Sequence, residues 1–153
     1  MAEDHLGSQP SGVVLDSARL FVGKFIGGGV YRQVFEHAFD KTQVIKLEME
    51  AGHFHNAMEA QVWERVRWCG SIGRWFAPVL GISPWGSALL MARTEPLSAA
   101  QMKRWRHIPA FFTDIKPGNF GVYKGRLVCH DYGNHLLMEV GMTKRMRTVR
   151  WED

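Results

Sequence analysis

The chain has 153 residues, 46% of them hydrophobic and 22% charged, a length suited to one domain and a composition too apolar for a disordered protein. Its formal charge of +4 rests largely on two basic clusters, Lys103-Arg104-Arg106 and Lys144-Arg145-Arg147-Arg150, which suit a phosphorylated or acidic partner or a solvated face. No stretch approaches the roughly 18 uninterrupted apolar residues that cross a bilayer, and residues 1–12 lack the basic start and apolar run of a signal peptide. The expectation is a protein without a membrane span, cytoplasmic in the producing cell or in a host cell, with a flexible N-terminus over residues 1–12.

Gly, Pro and Asp punctuate the chain into short strands and helices. Arg19 to Ile26 is apolar-rich and ends at three glycines, Tyr31 to Asp40 alternates, Asp40-Lys41-Thr42 suits a turn, and Gln43 to Leu47 is β-favouring. Those features predict three antiparallel strands. From Phe54 to Trp68, Met58, Val62, Trp63 and Val66 recur at helical spacing among charged residues. Pro78 to Ile82 and Ser87 to Arg93, separated by Ser83-Pro84-Trp85-Gly86, read as a hairpin, and Ser98 can cap a helix to Arg106. Phe111-Phe112, Gly121 to Tyr123 and Arg126 to His130 are short apolar segments around polar turns. This order predicts an α+β fold.

The two cysteines, Cys69 and Cys129, are too few for a disulfide framework and sit in apolar surroundings that suit buried thiols. His53-Phe54-His55 lacks the ligand spacing of a zinc site, and the tryptophans Trp63, Trp68, Trp75, Trp85 and Trp105 suit core packing better than base stacking. Nucleic acid is therefore not the expected partner.

Three segments carry chemistry. Gly27-Gly28-Gly29-Val30-Tyr31-Arg32-Gln33-Val34 fits G-x-G-x-x-G-x-V except that Arg32 replaces the third glycine. Such glycines let backbone amides approach phosphate oxygens, although a glycine-rich hairpin turn needs no ligand. A dinucleotide fingerprint, with Glu48 near its acidic position, fails because Val34 to Asp40 alternates like a strand where that motif needs a helix. Val44-Ile45-Lys46 sets a lysine in an apolar strand, which calls for an anion or for snorkelling at the strand edge. Glu59 on the following helix is the best-placed carboxylate, with Glu50 and Glu64 as rivals. Most specific is Asp114-Ile115-Lys116-Pro117-Gly118-Asn119, followed by Asp131-Tyr132-Gly133. One carboxylate to orient an attacking hydroxyl, a lysine to neutralise a moving phosphoryl group, and an Asn with a second Asp to hold magnesium stand in that order.

Together these motifs resemble the protein kinase-like superfamily over about Phe21 to Gly133. The resemblance implies a kinase-like α+β fold: an N-lobe over about 19–93 with a five-stranded antiparallel sheet and one helix, and a reduced C-lobe over 94–153. It implies ATP and Mg2+ as cofactors. Gly27 and Gly29 would cover the phosphates, Val34 would flank adenine, and Lys46 would grip the α- and β-phosphates with Glu59 as its ion-pair partner. Met91 falls near the gatekeeper position, and Ala92 to Thr94 would offer backbone groups to adenine. Asp114 resembles the catalytic base, Lys116 the phosphate-neutralising lysine of Ser/Thr-type kinases, and Asn119 and Asp131 the magnesium ligands.

The departures bear on function. Phe112-Thr113 stand where the family usually has His-Arg, so a phosphorylated activation loop loses its usual receptor. No Ala-Pro-Glu segment follows Asp131-Tyr132-Gly133, and the late helices that dock a peptide have no room. The chain thus resembles the minimal kinases of bacterial effectors and phages. The expected function is a minimal Ser/Thr protein kinase acting on a protein, with docking through the basic C-terminal segment. The alternatives are a kinase-like nucleotide-binding module that binds or inhibits a partner without transfer, and a small-molecule phosphotransferase, which Lys116 disfavours.

Overall fold

The computed structural model describes residues 19–50, 52–133 and 141–151; the expected flexible N-terminus lies outside them. Strands β1 (Val22–Gly28), β2 (Arg32–His37) and β3 (Gln43–Glu48) form an antiparallel meander, joined by β4 (Val79–Ile82) and β5 (Ala88–Ala92) into one five-stranded sheet of order β1-β2-β3-β5-β4. The α+β class and the five-stranded antiparallel sheet are thus as expected from sequence.

The first strand is displaced from its expected span. It begins at Val22 and runs through Gly27 and Gly28, which pair with Val34 and Gln33, so only Gly29 to Tyr31 turn the chain. A side chain at Gly28 would meet the Arg32 carbonyl at 2.7 Å, whereas nothing lies within 4 Å of the Cβ position at Gly27 or Gly29. The glycine at position 28 is therefore set by close strand pairing, and the flanking two leave open space.

Helix α1 (His55–Val66) connects β3 to β4. Its buried stripe is Asn56, Glu59, Val62 and Val66, two polar and two apolar residues at spacings of three and four. Its start is fixed by the Glu48 carboxylate, which accepts the Asn56 amide at 2.6 Å, so the acid considered for a dinucleotide ribose instead anchors a helix N-terminus. A short α2 (Gly70–Gly73) follows.

Beyond β5 the chain forms β6 (Glu95–Pro96), α3 (Ala99–Arg104), β7 (His107–Pro109), a 3₁₀ turn at Pro117–Asn119, β8 (Phe120–Tyr123), β9 (Arg126–Cys129) and β10 (Met146–Thr148). Ser98 caps α3 reciprocally with Gln101, as its residue type predicts, but the helix ends at Arg104 because Trp105 takes a non-helical backbone (φ −96°, ψ 74°). β6, β8 and β9 make a three-stranded sheet, and β10 pairs with β7. That last pairing, Arg147 opposite Ile108 and Thr148 opposite His107, brings the two basic clusters onto one surface.

One core serves both parts. Val44, Val62, Val66, Leu89 and Met91 from the first sheet and α1 join Phe76, Phe111, Phe112, Phe120, Val128 and Tyr132 in one buried cluster. Phe76 is its centre, with rings of Phe111, Phe112 and Tyr132 at 5.0–6.0 Å. Three expectations about burial fail. Trp68 and Trp85 are 79% and 80% exposed, the first beyond the buried stripe of α1 and the second in the β4–β5 turn, and Cys69 is exposed at the start of α2. Trp63, Trp75 and Trp105 do pack against the core, and Cys129 is a buried free thiol.

Gly121 shows how closely β6 and β8 approach: an added Cβ would lie 2.5 Å from Thr94 Oγ1 and 2.8 Å from the Glu95 carbonyl. Gly121→Ala should therefore lower the unfolding free energy in urea by about 1–3 kcal/mol through overpacking; an unchanged midpoint would show that this edge yields freely.

Candidate functional site

Lys46, Glu59 and Asp131 come together around the Arg32 side chain at the start of β2. Lys46 lies on β3 opposite Val34 of β2, and it is 3% exposed. Its ammonium donates to both carboxylate oxygens of Glu59, at 3.1 and 3.0 Å, and to the His130 carbonyl. The neighbour needed by a lysine in an apolar strand is therefore Glu59. Of its rivals, Glu50 pairs with His53 and Glu64 with Arg67.

Glu59 is fully buried and receives more than Lys46. Arg32, at the start of β2, binds it through both terminal nitrogens, Nη1 to Oε2 at 2.9 Å and Nη2 to Oε1 at 3.0 Å. The amides of Tyr132 and Gly133 donate to Oε1 at 3.0 and 3.3 Å. Burial alone would raise the carboxyl's pKa, but Lys46 and Arg32 outweigh it and hold the group at about 2. Arg32 is held above its ordinary value in turn: burial lowers it, and Glu59 and Asp131 more than offset that effect.

Arg32 was not foreseen as a site residue. In the motif it is a missing glycine; in the fold its guanidinium also reaches Asp131 Oδ1 at 2.5 Å and Asn56 Oδ1 at 3.3 Å. Asn56 completes that corner by donating to the carbonyls of Lys46, Gly86 and Ser87. The available signals were positional. Arg32 precedes Val34 by one strand repeat and so shares the face of Lys46, and Asn56 precedes Glu59 by one helical turn.

The second group is built on the 3₁₀ turn. Asn119 is buried, and its Nδ2 donates to the Asp114 carbonyl at 3.0 Å and to Asp114 Oδ2 at 2.8 Å. Its own carbonyl accepts the amides of His130 and Asp131 at 2.9 and 3.3 Å, which ties the two polar turns together. Lys116 Nζ stands 3.6 Å from Asp114 Oδ2 with a side chain 60% exposed, free to turn toward a ligand. His130 is held below its ordinary pKa by burial and by Lys46, so the neutral ring donates from Nε2 to the Gly118 carbonyl at 2.8 Å and accepts the Thr94 hydroxyl at Nδ1, 2.6 Å away.

The remaining candidates fall at the edges. Val34 is half-buried against the core and Met91 fully buried on β5. The Ala92 amide donates to the Pro78 carbonyl and the Arg93 amide to that of Thr42, so two donors of the Ala92–Thr94 segment are spent within the fold. Gly27 and Gly29 flank the hairpin turn above Arg32.

Asn119 and Asp131 carry side-chain oxygens on two turns tied together by backbone hydrogen bonds, and Asp131 keeps its side chain 38% exposed. Among the described residues no group of three or more His, Cys, Asp and Glu side chains could hold a metal ion by itself. This donor set suits a hard cation that brings phosphate and water ligands with it, as Mg2+ does, rather than a resident ion. No protein-family model matches the chain, and no curated protein is detectably similar to it in sequence.

The charge balance at Glu59 predicts acid behaviour. A carboxyl lowered from 4.5 to about 2 contributes stability that is present above pH 4.5 and lost as pH falls toward 2, on the order of 3 kcal/mol. Glu59→Gln should cost about 3–5 kcal/mol at pH 7, because two cations lose their counter-charge. It should also flatten the acid limb of stability measured by urea unfolding. An equally steep limb in the variant would place the acid-sensitive group elsewhere.

Proposed function

We propose that the protein is an ATP- and Mg2+-dependent phosphotransferase of protein kinase-like design, a minimal Ser/Thr protein kinase acting on a protein substrate. The observation that carries this reading is the buried Lys46–Glu59 pair whose carboxylate also grips the Tyr132 and Gly133 amides next to Asp131. A strand lysine paired to a helix glutamate and tied to a metal-binding Asp-x-Gly turn is the arrangement that positions a nucleotide's phosphates for transfer.

In this reading Asp114 orients the substrate hydroxyl and takes up its proton, with its own carboxylate set by the Asn119 amide. Lys116, exposed and near Asp114, neutralises charge on the moving phosphoryl group. Asn119 and Asp131 would hold Mg2+, which would supply positive charge to offset that of the phosphates. Lys46 grips the phosphates under the glycine turn, while Glu59 keeps the ammonium in place.

Substrate choice falls to surfaces outside this site. Lys103, Arg104 and Arg106 meet Arg145, Arg147 and Arg150 across the β7–β10 pair, all exposed and in no ion pair among the described residues. That face fits an acidic or phosphorylated protein segment. Trp151 Nε1 is committed to the Trp105 carbonyl at 2.8 Å and its ring to Phe120, an arrangement that disfavours base stacking. A binding module without transfer is the second reading, and the Arg32–Asp131 bond favours it by occupying a metal-ligand oxygen.

Transfer from radiolabelled ATP to the protein itself, to generic substrates or to a lysate separates the two. Asp114→Asn should reduce transfer by ~100-fold or more and leave the melting temperature close to wild type, since Asp114 is only half-buried. Wild-type protein at a hundred times its ATP dissociation constant should gain about 2.7 kcal/mol of stability. Stabilisation without transfer would select the binding module, and neither effect would remove both readings.

A further inference from the structure

We propose that Arg32 is a built-in cation of the nucleotide site: its guanidinium fills the cation position on Asp131, so that nucleotide binding depends only weakly on divalent metal. The proposal rests on the kinase-like reading of the site and concerns how that site holds its ligand.

The charges around Glu59 are packed together, with Glu48 also close enough to act on Arg32. Lys46 and Arg32 face Glu59 and Asp131, two cations against two carboxylates, with Glu59 fully buried and Arg32 nearly so. The Lys46 ammonium has its donors on Glu59 Oε1, Glu59 Oε2 and the His130 carbonyl. Glu59 is saturated by two cations and two amides. Of the four, only Asp131 also faces solvent to any extent, with Arg32 bound at Oδ1 and its side chain 38% exposed.

A divalent ion at a lone carboxylate normally cancels its charge before phosphates approach. Here a guanidinium already does so, at 2.5 Å and within hydrogen-bond geometry. The terminal nitrogens of that guanidinium are taken by Glu59, Asn56 and Asp131, so it acts on approaching phosphates through its charge. Arg32 begins β2 directly after the Gly29–Tyr31 turn, and its carbonyl accepts the Gly29 amide at 2.9 Å. A metal at Asp131 must share that carboxylate with a fixed positive charge or displace it. Either way the metal adds less to nucleotide affinity than it would at an unoccupied Asp131. Metal remains necessary for transfer, and cancelling the Asp131 charge becomes the work of Arg32.

The measurement is ADP and ATP affinity by isothermal titration on the full chain, with excess magnesium and with EDTA. For wild type the ratio of the two affinities should stay within about tenfold, and in Arg32→Gly, the residue of the glycine pattern, it should widen by roughly 10- to 100-fold, the equivalent of one charge-assisted hydrogen-bond set. Loss of a purely structural arginine would weaken both affinities alike and leave the ratio unchanged, which would overturn the proposal. Asp131→Asn is the second arm, because it removes the shared carboxylate and keeps Arg32 on Glu59. It should leave the small wild-type ratio as it is; a fall in the ratio would mean that Asp131 serves metal in the wild type, and would also overturn it. Nucleotide binding with an unaltered ratio in Arg32→Gly sinks this proposal alone, whereas a wild type that binds no nucleotide under either condition sinks the kinase-like reading with it.

Discussion

A carboxylate with no solvent contact organises this protein. Glu59 is ionised inside the fold only because Lys46, Arg32 and two backbone amides surround it, and those donors come from three separate parts of the chain. Desolvation opposes the charge and the partners overcome it, so the carboxyl is held at about 2. Removing any one donor leaves the others facing an incompletely compensated buried charge. Placement of the β1–β2 hairpin, β3, α1 and the Asp131–Gly133 turn is therefore a shared consequence of one group's need for partners.

The same constraint explains why two polar residues lie on the buried stripe of α1. An amphipathic helix would ordinarily present apolar side chains there, and Val62 and Val66 do so in the second half. In the first half Asn56 and Glu59 replace them, each with its hydrogen bonds satisfied inside the fold. Buried polar groups of that kind are costly unless fully paired, and here the pairing fixes how α1 sits on the sheet. The helix is held by hydrogen-bond geometry at one end and by packing at the other.

Much of this was legible in the sequence because it is local or periodic. The three-strand meander, the helix after Phe54, the β4–β5 hairpin and the Ser98 cap follow from alternation, helical spacing and capping chemistry, each decided by neighbours in the chain. Lys46 announced its need for an anion by standing in an apolar strand, and helical placement singled out Glu59. What was hidden depends on tertiary contact. Arg32 is separated from Asp131 by 99 positions, and nothing in either local segment tells that a guanidinium will meet a carboxylate there. The exposure of Trp68, Trp85 and Cys69 was misjudged for a related reason: residue type predicts burial only on average, and these three sit past the last buried turn of α1 or in a surface turn.

The C-terminal segment answers how so short a chain supports the Asp114–Asn119 turn. Val149 is buried and its amide donates to the Arg106 carbonyl at 2.7 Å, while Ala110 donates to the Arg145 carbonyl at 2.8 Å. These bonds extend the β7–β10 pair on both sides. Trp151 then lays its ring edge-on to Phe120 at 5.2 Å, and Phe120 directly follows Asn119. The aromatic contact thus backs the residue that orients Asp114, and Phe112 also packs edge-on against Phe120 at 5.3 Å. A turn of polar residues cannot hold itself against solvent, and rigidity must come from the apolar groups on either flank. In this chain a three-residue strand and one tryptophan supply that support. Arg147 of the same strand and Arg145 and Arg150 beside it are exposed, so the segment that steadies the turn also presents the basic surface.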